Sequence, residues 1–177
     1  MLIVVLRVYL TGNPGVGKTT TFIFLLNELK RRNLKISGFY CPEVKHEGRR
    51  IGFKIVDIWS GKFDWLARVD YPGKIKIGKY TVLEDNVNRI LADIESSTSN
   101  SDIIAIDEIG PMELSIKSMK DFILKVINSD EKPLLAVIHR SLKDSLRGGK
   151  VYTITLDNRN TIKYEILNYI LINFKKT

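Results

Sequence analysis

Three glycines stand within six positions near the amino terminus of the chain, in the segment TGNPGVGKTT (residues 11–20). The segment matches the Walker A pattern GxxxxGK[ST] at Gly12, Gly17, Lys18 and Thr19. A loop that wraps around phosphates turns its backbone N–H groups inward, and glycine adopts the required backbone angles without strain. In this pattern the lysine reaches the β- and γ-phosphates, and the threonine hydroxyl binds Mg²⁺. The segment therefore predicts a site for a nucleotide with Mg²⁺.

A second pair of residues able to do chemistry is Asp107-Glu108, which follows the apolar residues 103–106. An acid at the carboxyl end of a buried parallel strand lies at the crevice where such sheets bind ligands. We expect Asp107 to hold Mg²⁺ through water, as a Walker B aspartate does. A carboxylate directly after it can orient and deprotonate a water molecule for attack on the γ-phosphorus. Glu108 is therefore the predicted general base.

Both groups stand where the sequence predicts the end of a buried strand. Residues 4–10 and 103–106 are almost wholly apolar, which is typical of strands that a parallel sheet buries on both faces. Further strands are predicted at residues 35–40, 133–138 and 151–156, and helices at residues 17–32, 83–95, 114–128 and 161–175. Residues 96–101 have a loop-like composition. Because strands alternate with helices, we expect a three-layer α/β/α fold around a mainly parallel sheet.

The pattern changes between about residues 48 and 70, where two runs of alternating apolar residues flank the turn Ser60-Gly61-Lys62. We interpret this segment as an antiparallel hairpin inserted into a single domain that spans residues 1–177. Trp59 and Trp65 are expected to pack within the hairpin rather than to stack on bases. The basic residues around the hairpin fit a substrate or nucleic-acid surface, or alternatively a solvated face: Lys45, Arg49, Arg50, Lys74, Lys76 and Lys79.

Seven segments spread over nearly the whole chain carry a resemblance: LTGNPGVGKTT (10–20), GFYCPEV (38–44), RRIGFKIVD (49–57), GKYTV (78–82), IDEIGPMEL (106–114), His139-Arg140 and Asn158-Arg159. Together they resemble the small THEP-type nucleoside triphosphatases. The Asp-Glu pair also resembles the division of P-loop ATPases that has a catalytic glutamate and a RecA-like sheet. In that division one strand lies between the Walker A and Walker B strands, and residues 133–138 are the candidate. The resemblance implies slow, Mg²⁺-dependent hydrolysis of ATP, GTP and other nucleoside triphosphates to diphosphate and phosphate.

The predicted site residues fall into three groups. The catalytic residues are Lys18, Glu108 and Arg140. The metal ligands are Thr19 and Asp107. The nucleotide-binding residues are Gly12, Asn13, Pro14, Gly15, Val16, Gly17, Lys18, Thr19, Thr20, Asp107, Glu108, Ile109, Gly110, Asn158 and Arg159.

Three of these residues, Arg140, Asn158 and Arg159, stand outside the two motifs, and the first two have an alternative role. Arg140 would stabilise charge on the γ-phosphoryl group, or it is a surface or ion-paired arginine. The neighbouring His139 is expected to pack at the strand end, because Glu108 already fits the role of base. Asn158 and Arg159 follow a predicted strand and could contact the base or ribose. Alternatively, Asn158 is the N-cap of the last helix.

The composition of the chain bears on its binding partners and its cellular compartment. The chain has 177 residues, a formal net charge of +8 and one cysteine. The basic balance fits a polyanionic partner, either nucleotide phosphates or nucleic acid. A single cysteine cannot form a disulfide within the chain, which suits the cytoplasm, and the apolar run at the amino terminus is too short to span a membrane. We expect the protein to be a monomer. We also expect it to accept ATP, GTP, CTP and UTP, because the sequence has no NKxD-type motif that would select guanine.

Two other functions fit the same phosphate loop. A nucleotide or small-molecule kinase would need arginines in a closing lid, for which Arg49, Arg50 and Arg68 of the hairpin are candidates. An RNA- or DNA-stimulated ATP-binding module would suit the positive charge and the RecA-like layout. Against this module, the sequence shows no single basic stripe with interleaved aromatic residues. Hydrolysis by water is the leading hypothesis.

Overall fold

The computed structural model describes residues 5–146 and 148–174. Val4 and Lys175, the predicted ends of the first strand and the last helix, lie outside these residues. The strands are β1 (Arg7–Thr11), β2 (Ile36–Tyr40), β3 (Glu43–His46), β4 (Arg49–Asp57), β5 (Phe63–Arg68), β6 (Lys76–Ile77), β7 (Tyr80–Val82), β8 (Ile103–Ile109), β9 (Leu134–Ile138) and β10 (Lys150–Thr153). The helices are α1 (Lys18–Arg31), α2 (Glu84–Thr98), α3 (Pro111–Ser115), α4 (Lys117–Asn128) and α5 (Ile162–Asn173), with a 3₁₀ turn at Arg140–Leu142.

All ten strands belong to one sheet, in the order β10-β1-β9-β8-β2-β4-β5-β7-β6, with β3 paired to β4 beside this path. The five strands from β10 to β2 pair in parallel. Strand β9 lies between β1 and β8, which confirms the predicted RecA-like order. The carboxyl ends of β1, β9 and β8 therefore share one edge of the sheet, where the phosphate loop and the acid pair meet.

Helices cover the parallel strands on both faces, as predicted. On one face α1 and α5 pack against residues such as Val8 and Leu10 of β1. On the other face α2 and α4 pack against residues such as Tyr9 and Ile106. Each fully buried side chain of this kind contributes about 1.5–3 kcal/mol from burial. This packing holds the first turn of α1 rigidly against the end of β1.

Antiparallel strands extend the sheet beyond β2, and this extension is longer than the predicted insertion. Residues 48–70 contain β4 and β5, but β3, β6 and β7 also pair antiparallel within the same extension. Lys76 and Lys79, two of the basic residues that follow the predicted hairpin, belong to the second hairpin β6–β7. Its strands have only two and three residues, so no alternation of apolar residues indicates them.

Other boundaries also differ from the sequence-based expectations: β1 begins at Arg7 rather than at residue 4, and β10 ends at Thr153 rather than at residue 156. Ser96, Ser97 and Thr98 belong to α2 rather than to a loop, and their hydroxyls donate hydrogen bonds back to helix carbonyls. The helix predicted at residues 114–128 is divided at Ile116, which is buried and extended. Strand β8 continues to Ile109, so the acid pair lies within the strand instead of after it.

No helix in the described ranges is long and apolar enough to cross a membrane.

Candidate active site

The phosphate loop connects β1 to α1 through glycines with positive φ angles. Gly17, directly before the helix, has a φ of 106° and a left-handed backbone. Gly12 has a φ of 151°, and a Cβ atom there would lie 2.3 Å from the carbonyl oxygen of Ile154. A side chain at Gly12 would therefore push the loop away from the segment that follows β10. The glycines let the loop turn tightly and place the amino end of α1 at the mouth of the loop.

The side chain of Lys18 folds back across this loop. Its Nζ atom donates hydrogen bonds to the carbonyl oxygens of Gly12 and Asn13, each at 3.0 Å. The positive charge thus lies within the curve of the loop, at the positive end of the helix dipole. Both features attract an anion to the same place.

The two predicted metal ligands, Thr19 and Asp107, lie together. Asp107 is only 5% exposed at the end of β8. Burial raises the pKa of Asp107 to about 6, while a hydrogen bond from the Thr19 side chain opposes this shift. The charge of Glu108 raises this pKa further, and the charge of Lys18 lowers it. A hydroxyl and a buried carboxylate are the hard oxygen ligands that Mg²⁺ prefers beside nucleotide phosphates, so this pair fits the ion.

Glu108 lies where the pairing of β8 with β9 is irregular. Asp107 pairs with Val137 and Ile109 with Ile138, which leaves Glu108 as an extra residue. An irregularity of this kind redirects a side chain at the end of a strand. The peptide bond that joins Asp107 to Glu108 is cis. The Glu108 side chain is half-buried, so water can reach its carboxylate.

A third carboxylate, that of Glu113, converges with Glu108 on Gly110. A Cβ atom at Gly110 would lie 3.0 Å from Oε1 of Glu108 and 3.1 Å from Oε2 of Glu113. Glu113 is 7% exposed. Burial raises its pKa to about 7, against the effect of hydrogen bonds from the N–H groups of Glu113 and Gly110. The charges of Glu108 and Asp107 raise this pKa further.

Sequence reasoning missed Glu113, although a signal for it exists. Gly110 is the N-cap of α3, Pro111 begins the helix, and Glu113 is the third helical residue. A glutamate at this position characteristically reaches back to the N-cap N–H, and proline is favoured at the first position. The signal predicts a helix cap, but the proximity to Glu108 depends on how α3 packs against β8.

Arg140 reaches the phosphate loop from the end of β9. Its Nη1 atom donates a hydrogen bond to Oδ1 of Asn13 at 3.3 Å. Among the described residues it forms no ion pair with an acid, which argues against the alternative of a salt-bridge partner. His139 is bonded within its own turn, with Nδ1 2.8 Å from Oγ of Ser141. The structure therefore brings Arg140, and not the His139 ring, to the loop.

Asn158 and Arg159 have different environments. Oδ1 of Asn158 accepts a hydrogen bond from the N–H of Thr155, and its Nδ2 donates to the carbonyl of Thr153. This side chain braces the turn after β10, and the alternative that it caps α5 is wrong because Thr161 is the N-cap. The Arg159 side chain instead passes over the phosphate loop, with Cδ 3.6 Å from the Cβ position of Gly17.

A cavity of about 410 Å³ lies between the phosphate loop and the segment after β10. Its walls include Gly12, Arg140, Lys143, Thr155 and Leu156. The cavity opens beside the loop that would hold the phosphates, so it has the position expected for the rest of a nucleotide. Asn158 and Arg159 do not line it.

This geometry defines a P-loop nucleoside triphosphatase with a glutamate after the Walker B aspartate. Residues 7–167 match the model of the family described as NTPase, and the chain belongs to this family. The chain is 57% identical over 166 residues to nucleoside-triphosphatase THEP1 of Saccharolobus solfataricus, covering 94% of this chain and 93% of the relative. It is 40% identical over 172 residues to nucleoside-triphosphatase THEP1 of Methanocaldococcus jannaschii, covering 96% of this chain and all of the relative.

Two solved structures have the same fold. The crystal structure of THEP1 from Aquifex aeolicus superposes with a TM-score of 0.77 at 27% identity, covering 93% of this chain and 98% of that one. The solution structure of a human cancer-related nucleoside triphosphatase gives a TM-score of 0.76 at 30% identity, covering 96% and 100%. These findings confirm the THEP-type resemblance and the prediction of an enzyme that hydrolyses nucleoside triphosphates. They do not favour the kinase or the nucleic-acid-stimulated module.

Proposed function

We propose that this chain hydrolyses ATP, GTP, CTP and UTP with Mg²⁺ as cofactor, and that Glu108 is the general base. The observation that carries the proposal is the arrangement at one edge of the sheet. Lys18 lies within the phosphate loop, Thr19 and Asp107 lie together, and Glu108 follows on the same strand end. An anionic phosphate chain, its metal ion and an attacking water molecule thus find their partners within one short stretch of the surface.

Thr19 and Asp107 are the proposed partners of the metal ion. When bound, Mg²⁺ supplies positive charge that neutralises the phosphate oxygens and the charge developing on the leaving group. Asp107 must be ionised for this role, and a cation beside it favours the ionised form. The short side chain of Thr19, on the first turn of α1, fixes its hydroxyl close to the loop.

Glu108 is proposed to accept a proton from the attacking water molecule. The water oxygen bonds to the γ-phosphorus as the bond to the β,γ-bridging oxygen breaks, which releases diphosphate and inorganic phosphate. A half-buried position suits the base, because it admits one water molecule while limiting bulk solvent. Lys18 and Arg140 both form hydrogen bonds with the phosphate loop, where their charges stabilise the phosphoryl oxygens.

Loose base selectivity is proposed from the cavity beside the loop. Its polar lining residues include Asn13, Arg140, Lys143 and Thr155, beside the largely exposed Leu156. Asn13 Oδ1 already accepts from Arg140, and Arg140 and Lys143 offer only donors, so the walls lack the fixed pattern of donors and acceptors needed to distinguish guanine from adenine. Asn158, which could have read a base edge, uses its amide group within its own turn.

We further propose that the chain acts as one domain, as a monomer and in the cytoplasm. One sheet includes both the parallel strands and the antiparallel extension, which supports a single domain. Arg140 reaches the phosphate loop of its own chain, so no second copy is needed to supply a finger. The free thiol of Cys41 suits a reducing compartment.

The test is phosphate release with Mg²⁺ from each of the four triphosphates, with and without nucleosides, nucleoside monophosphates and RNA. The proposal expects release from all four without a second substrate, and no release after removal of Mg²⁺ with EDTA. Release from only one triphosphate would refute the loose selectivity. Release that begins only when an acceptor is added would show that water is not the attacking group.

A further inference from the structure

The outer face of the β4–β5 hairpin carries side chains that the hydrolytic site does not use. Helix α2 packs on the inner face of this hairpin, where Leu66 and Ala67 are both fully buried. The strand register shifts between Phe53 and Lys54, so that Lys54 pairs with Trp65. Because of this shift, the consecutive residues Leu66 and Ala67 both face inward, and Arg68 faces outward on the same side as Trp65. Strand pairing thereby collects Lys54, Trp65 and Arg68 on one surface.

Cations and aromatic rings alternate on this surface. The Nζ atom of Lys54 lies 4.1 Å from the ring centroid of Phe63 and 5.8 Å from that of Trp65. The guanidinium carbon of Arg68 lies 4.7 Å from the Trp65 centroid. A Cβ atom at Gly52 would approach the indole to 3.0 Å, so glycine makes room for the ring. We call Phe63, Lys54, Trp65 and Arg68 the aromatic–basic row.

The two cations of the aromatic–basic row, Lys54 and Arg68, stand apart from the ion pairs found among the described residues. Neither Lys54 nor Arg68 forms an ion pair with any residue that the structure describes. The carboxylate of Asp64, between the two rings in sequence, points to the other face and pairs with Arg89. Phe63 is 58% exposed. The row therefore presents unpaired positive charge and accessible ring surface to the solvent.

We propose that the aromatic–basic row is a binding surface for single-stranded nucleic acid. Proteins that bind single strands combine a positive surface for the phosphates with aromatic side chains on which bases stack. The long side chain of Lys54 can leave the ring of Phe63 for a phosphate, and the freed ring face then accepts a base. A net charge of +8 attracts the same polyanion from a distance.

The row also lies near the catalytic edge of the sheet. The N–H of Lys54 donates to the carbonyl of Pro42, which is two residues beyond β2. The last residue of β2, Tyr40, pairs with Asp107 on one side and with Val56 on the other. A strand of nucleic acid on the row is thus separated from the Walker B aspartate by β2 where it contacts Lys54, and by β2 and β4 where it contacts the row residues of β5. The sequence does not show this row as a stripe, because two separate strands supply it. The expectation that Trp65 only packs within the hairpin differs from this proposal, because the strand register places its indole beside Lys54 on the outer face.

The test is binding of a labelled oligothymidylate and an RNA of the same length, measured by fluorescence anisotropy at several salt concentrations. We expect saturable binding that weakens with salt. Replacing Lys54 and Arg68 together by Ala should weaken binding roughly tenfold and reduce the salt slope by about 1.4, as for two lost phosphate contacts on a single strand. The matched control replaces Lys120 and Lys125 by Ala, two exposed lysines of α4. It should leave the affinity within about twofold.

Stacking of bases on the aromatic rings of the row is tested separately, by tryptophan fluorescence. The chain has two tryptophans, so Trp59→Phe leaves Trp65 as the single tryptophan and as a reporter within the row. Its fluorescence should be quenched saturably by the oligonucleotide, and Phe63→Ala should weaken binding about fivefold or more. Duplex DNA or polyglutamate should bind less tightly. The proposal would be overturned if the wild type did not bind the oligonucleotide, or if Trp65 fluorescence were not quenched. It would also be overturned if duplex DNA or polyglutamate bound equally tightly, or if the Lys120 and Lys125 control variant bound as weakly as the Lys54 and Arg68 variant. None of these readouts depends on hydrolysis.

Discussion

Burial sets the chemical state of the residues around the acid pair. Asp107 and Glu113 are almost inaccessible, and burial raises the pKa of each above its ordinary value. Burial also raises the pKa of the Cys41 thiol, and the charges of Glu113, Asp107 and Glu108 raise it further. The thiol therefore stays protonated and serves packing. Glu108 is the one carboxylate of this group with a half-buried side chain, which suits the role of base.

Protonation of Glu113 should make the stability of the folded protein depend on pH. Its pKa in the folded chain is about 7, above the ordinary 4.5, so the folded state holds a proton that the unfolded state releases between these values. Stability is therefore lost as the pH rises from about 4.5 to about 7. Glu113→Gln removes this loss and keeps an acceptor for the N–H of Gly110. The variant should gain on the order of 2 kcal/mol in unfolding free energy at pH 8 relative to wild type.

Urea unfolding of both proteins at pH 4.5 and pH 8, without nucleotide, checks this prediction. Glu131→Gln is a control, because Glu131 is an exposed acid in a turn. A gain at pH 8 that equals the gain at pH 4.5 would mean that Glu113 does not retain its proton on folding.

The sequence predicted best the residues whose spacing is local, and among the distant residues it predicted Arg140, which reaches the phosphate loop. The phosphate loop and the acid pair each lie within ten consecutive residues, so their chemistry is visible in the pattern. Glu113 was missed because its contact with Glu108 depends on the fold of α3. Asn158 was predicted to contact the base or ribose, or to cap α5, but its amide forms hydrogen bonds within its own turn. Single-sequence patterns do not show such tertiary contacts.

At the scale of elements, the contact between β2 and β8 holds the acid pair in place. Gly38 of β2 pairs with Ala105 of β8. Its φ is +122°, and a Cβ atom there would lie 1.9 Å from the carbonyl oxygen of Ala105. The two strands can approach this closely only if residue 38 has no side chain.

Gly38→Ala should therefore be far more damaging than an ordinary substitution of glycine. We expect a loss of more than about 3 kcal/mol, since a backbone clash adds to the cost of a left-handed residue. Gly48→Ala is the matched control, because Gly48 has a φ of +74° with nothing within 4 Å of its Cβ position. It should cost about 1–2 kcal/mol. Equal losses of unfolding free energy in a urea titration would show that the strand contact is not tight.

Elements with continuous apolar runs were predicted well, and elements defined by tertiary contacts were not. The runs that became β1, β8 and β9 are buried on both faces, so their pattern is unambiguous. The serines at the end of α2 have low helix propensity, but Ser97 finds a partner in Ser37 of β2 at 2.8 Å. Strands β6 and β7 are too short to show a pattern. The outer face of β4–β5 also required knowledge of the strand register.

At the scale of the whole molecule, folding brings the residues of the proposed site together at one edge of the sheet, so nucleotide binding and folding are coupled. Only the folded chain places Lys18, Thr19 and Asp107 together. A non-hydrolysable triphosphate with Mg²⁺, at 100 times its dissociation constant, should raise the unfolding free energy by about 2.7 kcal/mol. Lys18→Ala should lose this gain at the same ligand concentration, whereas Lys120→Ala on α4 should keep it. Thermal unfolding with and without ligand gives the comparison, and a full gain for Lys18→Ala would contradict the proposed site.

The most direct test of hydrolysis by a water molecule that Glu108 activates is the comparison of wild type with Glu108→Gln. Affinity for Mg²⁺ and ATP is measured by calorimetry, and single-turnover phosphate release is measured at saturating enzyme. The amide keeps the size of the side chain and cannot accept the proton. We predict an affinity within about threefold of wild type, together with a rate that falls by roughly 10²–10⁴-fold. A variant that binds ATP and releases phosphate at the wild-type rate would contradict the assignment of Glu108 as the base.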